Sequence, residues 1–167
     1  MRDVVAGILA VLLIVVALSL ATTLRRYRQS RERARDSERA LGRTIVAEVP
    51  TADDLVLFSE DRARFYYGDR SIDKDLISAV QVLINGSPIS VYVSHRFPQS
   101  AGGDRTLFED RPDGIARDRW DVAIETAVGS TLVQCGSIRE RVSQELARAV
   151  YEAVKRDIER RDRGGDR

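Results

Sequence analysis

Apolar residues change their spacing several times along the chain, and each change marks an element. Val4 to Leu24 form a run of 21 residues without a formal charge, mostly Val, Leu, Ile and Ala. Gly7, Ser19, Thr22 and Thr23 are too few to give a helix a polar face, and as a helix the run spans about 31 Å. That length matches the hydrocarbon core of a bilayer. The expectation is a transmembrane helix over 4–24, preceded by a short tail at 1–3.

Ser19-Leu20-Ala21 places small residues where a signal peptidase reads them, so an exported domain released after Ala21 is the rival reading. Charge favours the uncleaved anchor. Arg2 is offset by Asp3, whereas Arg25, Arg26 and Arg28 follow the apolar run at once and resist translocation. These three arginines are the expected contacts with the membrane surface. They put the amino terminus outside and the rest of the chain on the cytoplasmic side of a single-pass cell-membrane protein.

Residues 25–43 carry eight arginines against Glu32, Asp36 and Glu38, and few helix breakers precede Gly42. The pattern predicts a basic helical stalk continuing the membrane helix. Leu20, Tyr27, Ala34 and Leu41 recur every seven residues, which is half of a coiled-coil seam. Arg31 and Glu38 occupy the other half, so a solvated stalk competes with a homo-dimer through the stalk.

Shorter periods follow. "TIVAEVP", "DDLVLF" and "RARFYYG" read as strands separated by Pro50 and a polar turn. In "SAVQVLINGSPISVYV" two readings compete. Asn85-Gly86 between apolar runs signals a hairpin. Ile72, Leu76, Ala79, Val80 and Leu83 also fall on one helical stripe, with Ser71 or Asp73 as a cap and Asn85-Gly86 as a stop. The helix over 72–84 is the preferred reading, followed by a strand with Ile89, Val91 and Val93 on one face and Ser90 and Tyr92 on the other.

Residues 95–119 hold Pro98, Gly102, Gly103, Pro112 and Gly114 and read mostly as loop, with a short strand at 106–108. Trp120, Val122, Ile124 and Val128 alternate as a strand that "TLVQC" pairs back onto. Ser137 and Glu140 fit a capping box opening a final helix. Its expected buried stripe is Val142, Leu146, Ala149, Val150, Ala153 and Val154, with charge all round beyond Lys155 and fraying of "RRDRGGDR" at 160–167.

Together these elements predict an α+β domain over 44–160, with a mainly antiparallel sheet and two helices, and a disordered tail at 161–167. From Leu55 the order is β-β-α-β-β-β-α. It is similar to that of longin-like and profilin-like α+β domains, in element order alone and without a shared motif.

Composition narrows the function classes. The whole-chain charge of +1 conceals a basic stalk and an acidic remainder, since residues 44–167 carry net charge −4. An acidic domain lacks the basic face that replaces phosphate counterions, so no nucleic-acid partner is expected. Cys135 is the sole cysteine and excludes an intrachain disulfide, and His95 is the sole histidine and excludes paired-histidine metal motifs.

Candidate chemistry is sparse. Cys135 with His95 would be a nucleophile and base, but a single cysteine ending an apolar strand reads first as a buried side chain. Asp73 with Asp75, or Glu109 with Asp110 and Asp113, offer oxygens to a cation without the pattern of a calcium loop. "AGGDR" reads as a turn, and no glycine-rich phosphate loop occurs. Neither a cofactor nor a catalytic or metal-binding residue is therefore expected.

Tyr66 and Tyr92 are the candidate interaction patch, if they project beside the long loop. The resulting expectation is a membrane-anchored adaptor, assembly or localisation module without enzymatic activity, whose partners are the lipid bilayer and another protein. The exported ligand-binding or envelope domain is the alternative. A membrane-bound hydrolase using Cys135 or the loop carboxylates is a weaker one.

Overall fold

The structure, a computed structural model, describes residues 2–50, 55–97 and 118–164, without the side chains of 2–11, 24, 26 and 27. Its first element is one helix, α1, running from Arg2 to Ala40. The Thr22 and Thr23 hydroxyls donate to the Ser19 carbonyl at 2.8 and 2.9 Å, so the helix is unbroken through the peptidase-like Ser19-Leu20-Ala21. Gly42, at φ 73°, ends it.

Among the described residues no helix is long and apolar enough to cross a membrane. Of the expected span over 4–24, that description covers the side chains from Leu12 to Thr23.

Eight strands form two antiparallel sheets. The first is a meander of β1 (Thr44–Pro50), β2 (Leu55–Glu60), β3 (Arg64–Tyr67) and β4 (Arg70–Asp73). A 3-10 turn over Lys74–Leu76 leads to the second sheet, ordered β6-β5-β7-β8. Its strands are β5 (Ile77–Ile84), β6 (Ser87–Val93), β7 (Arg119–Thr126) and β8 (Gly129–Ser137), and the closing helix α2 runs Arg141–Gly164. The coarse α+β expectation holds, with two sheets in place of one.

The element order departs from expectation at 72–84. There the helix is replaced by β4, the 3-10 turn and β5, and the likeness in order to longin-like and profilin-like domains goes with it. β5 lies centrally and is buried on both faces, so its apolar residues do not alternate and a helical stripe fits them by coincidence. Asn85 and Gly86, at φ 53° and 81°, form the hairpin turn between β5 and β6, both in the left-handed region a tight hairpin requires. The Asn85 side chain also accepts from the backbone N–H groups of Asp118 and Arg119, which fixes the entry to β7.

The core lies between the sheets and under α2. Phe58 and Phe65 stack at 5.5 Å and meet Val80, Val82, Val122, Ile124 and Val133. α2 adds Ala147, Val150, Tyr151, Ala153, Val154 and Ile158. Its buried stripe is turned by about one residue from the expected one, leaving Val142 61% exposed while Ser143 is buried.

The cause of that rotation lies at the start of α2. Ser137 accepts from Arg139 N as part of a turn and does not cap the helix, which begins only at Arg141. The Gly136 backbone, at φ 111°, passes so close that a Cβ there would lie 2.6 Å from Ser143 Oγ. α2 buries Asp157 and Ile158 and runs into the stretch expected to fray from Arg160, ending at Gly164, while 165–167 lie outside the described residues. Those charged turns persist because Asp157 has partners inside the fold.

Val128, expected to continue the alternation of β7, is 84% exposed because β7 ends at Thr126 and Val128 occupies the turn before β8. The expected strand at 106–108 lies outside the described residues.

Candidate functional site

β6 and α2 define the principal cleft. β6 is an edge strand, and its alternation holds with the faces exchanged relative to a simple hydrophobic count. Ser90 donates from Oγ to the Tyr151 hydroxyl at 3.0 Å, and Tyr92 packs against the core beneath Lys155, 5.6 Å from its ring centre. Ile89 and Val91 are left 55% and 46% exposed. The polar residues face inward because α2 supplies a hydroxyl and an ammonium there.

Where β6 ends, Ser94 Oγ and His95 N donate to the two oxygens of Asp162 at 2.7 and 3.0 Å. That anchor opens a cleft of about 920 Å³ lined by Tyr92, His95, Arg96, Glu159, Arg161 and Arg163 among others. Burial pushes the Tyr92 phenol above its ordinary range, with Glu159 and Asp162 adding to the effect.

A charge network adjoins this cleft through Arg161 and Arg96. Lys74, 3% exposed, pairs with Glu60 at 2.6 Å and Asp157 at 3.5 Å, donates to the Asp61 carbonyl, and lies 4.3 Å from the Phe65 ring centre. Asp157 also meets Arg161 at 2.7 Å, and Arg161 reaches Asp75, which Arg96 approaches at 4.0 Å. Arg96 and Arg161 of the cleft are thus compensated by Asp75 and Asp157.

Cys135 and His95 are not brought together as a nucleophile and base. Cys135 is fully buried in β8, away from the cleft that holds His95, and burial pushes its thiol up to about 12. At neutral pH it carries no useful thiolate. The buried Ser94 hydroxyl is committed to Asp162. Among the described residues no three His, Cys, Asp or Glu side chains gather to hold a metal ion. Asp73 accepts from Asp75 N and caps the 3-10 turn, and Glu109, Asp110, Asp113 and "AGGDR" lie outside the described residues.

Tyr66 and Tyr92 are not brought together, since they sit in different sheets. Tyr66 is covered by the Arg43 guanidinium 3.5 Å from its ring centre, and its hydroxyl donates to Asp61 at 2.7 Å. That bond raises the Tyr66 phenol and lowers the Asp61 carboxyl. Tyr66 is thus engaged within the fold, whereas Tyr92, partly buried against the core, also lines the cleft. Of the three membrane-surface arginines, Arg25 and Arg28 are exposed, and the side chain of Arg26 lies outside the described residues.

A second contact region joins α1 to the first sheet. Arg35 donates to Glu48, Arg31 lies 3.7 Å from the same carboxylate, and Glu38 accepts from Ser59 Oγ and pairs with Arg43 at 3.1 Å. The bond from Arg35 holds the Glu48 carboxyl below its usual range. Arg31 and Glu38, the residues that spoil the coiled-coil seam, are thereby explained as partners of the chain's own domain. No protein-family model, curated protein or solved structure matches the chain.

Proposed function

We propose that the chain is a single-pass membrane-anchored protein that presents its α+β domain on the cytoplasmic side as an adaptor, assembly or localisation module. One observation carries the anchor. Leu12, Leu13, Ile14 and Val15 are consecutive on α1 and therefore point in four directions around it, yet each is 58–61% exposed. An apolar helix uncovered on every side is suited to lipid and costly in water. The charge-free run begins upstream at Val4, and Arg25 and Arg28 stand exposed just beyond it, as cytoplasmic headgroup contacts do.

The adaptor role rests on the compensated charges of the cleft, which suit recognition of another protein better than reaction with a substrate. Release after Ala21 is less well supported, because the peptide there is helical and proteolysis favours exposed irregular segments. A stalk-mediated homo-dimer is confined to the residues before Arg31, because beyond it the seam faces the domain.

Topology tests the reading directly. Expressed with a carboxyl-terminal reporter that works only in the cytoplasm, the chain is expected in the membrane fraction, with reporter activity and the intact mass of all 167 residues. A mature chain beginning at Thr22 outside the membrane sinks the proposal in favour of the exported domain.

A further inference from the structure

The contacts between α1 and the first sheet run in a definite order. Glu38 meets Ser59, which pairs with Ile45 near the start of β1. Three residues further along β1, Glu48 meets Arg35 and Arg31, which lie earlier in α1. β1 therefore returns alongside α1 in the opposite direction. The paired ends Pro50 and Leu55 stand about 15 Å beyond the Ser59 level, and the same distance along the helix reaches the neighbourhood of Arg28.

The opposite end of the domain can be followed in the same way. Thr44 pairs with Glu60, and Lys74 bonds to Glu60, to the Asp61 carbonyl and through its N–H to the Ala63 carbonyl. Lys74 and Asp75 then meet Asp157 and Arg161 near the end of α2. The cleft containing Arg96 and Arg161 is thus at the end of the domain remote from Arg25 and Arg28.

We infer that α1 and the first sheet form one strut that stands the domain upright, with the β1–β2 and β3–β4 ends toward the lipid headgroups and the charged cleft facing away from them. The orientation toward lipid rests on the anchoring reading, whereas the strut itself does not. Such an arrangement keeps the cleft clear of the bilayer and open to a partner from solution. It also gives the mixed charges of α1 a role that a freely swivelling stalk lacks.

Two measurements on the full chain test it. Single cysteines replace Asp69, in the β3–β4 turn, or Arg62, in the β2–β3 turn. Both are exposed and about 15 Å apart in height, while native Cys135 is buried and silent to labelling. In vesicles of phosphatidylcholine and phosphatidylglycerol carrying a headgroup quencher, a dye at D69C is expected to be quenched several-fold more than one at R62C. Equal or reversed quenching overturns the upright orientation.

In detergent, spin labels at Q29C and D69C are expected to lie closer by about 10–15 Å than labels at Q29C and R62C. Broad, overlapping distance distributions overturn the strut. If the distances hold while neither dye is quenched, the strut stands and it is the anchoring that fails.

Discussion

Cys135 shows how a single side chain constrains function. It is the natural first suspect in a search for a nucleophile, yet it lies wholly inside the second sheet, with its thiol raised first by burial and then by Asp121. An unfolded thiol ionises near 9 and the native one near 12, so between those values the unfolded state binds fewer protons. Stability is therefore full below pH 9 and is lost as pH rises toward 12, by about 1.4 kcal/mol per pH unit from this group. Iodoacetamide at pH 8 is expected to leave the native protein unmodified and to label it only in denaturant. Rapid native labelling would show that Cys135 is accessible.

Among the elements, those with a one-sided environment were legible from the chain alone. The first three strands of the first sheet and the existence of α2 follow from alternation and helical period, whereas β4 falls where a helix was expected. β5 was not legible, because a strand buried on both faces loses the alternation that identifies it, and Asn85-Gly86 terminates a helix and turns a hairpin equally well. The rotation of α2 was hidden for another reason. Its buried set includes Ser143 and Asp157, admitted because Ser143 lies against the Gly136 backbone and Asp157 has Lys74 and Arg161. Nothing in local pattern announces a buried aspartate whose lysine lies 83 positions earlier.

That long-range pair predicts its own cost. Lys74→Met leaves Asp157 and Glu60 facing a hydrophobic side chain and is expected to destabilise the fold by about 3 kcal/mol in urea unfolding. Asp157 keeps Arg161 at 2.7 Å, so adding Asp157→Leu removes that pair as well and is expected to recover only part of the loss. A Lys74→Met cost below about 1 kcal/mol would mean that the network contributes little to joining the first sheet to α2.

For the whole molecule, the candidate cleft was legible only as separate pieces. Asp162 lies 67 positions after His95, and their meeting depends on the hairpin at Asn85-Gly86 and on α2 continuing past Lys155. The contact of α1 with the domain had one visible sign, the arginine and glutamate standing where a coiled coil wants apolar residues. Its energy is small, because Arg35 and Glu48 are 40% and 24% exposed, and Glu48→Ala is expected to cost at most about 1 kcal/mol. The same substitution should nevertheless broaden the distance between spin labels at Q29C and D69C. An unchanged distribution would show that the remaining contacts, Glu38 with Ser59 and Arg43 over Tyr66, suffice to hold the orientation.

On the proposed anchoring, the unbroken helix that reaches the docked sheet is also a lever. In the anchored arrangement Leu24 lies about 24 Å along the axis from Ala40, and membrane helices commonly tilt by about 20°. A tilt of that size carries the far end of the stalk sideways by about 8 Å, and the docked domain with it. Bilayer thickness, one influence on the tilt, would then become a coordinate of the cleft itself, so that a thicker or thinner membrane would move the domain relative to anything fixed beside it.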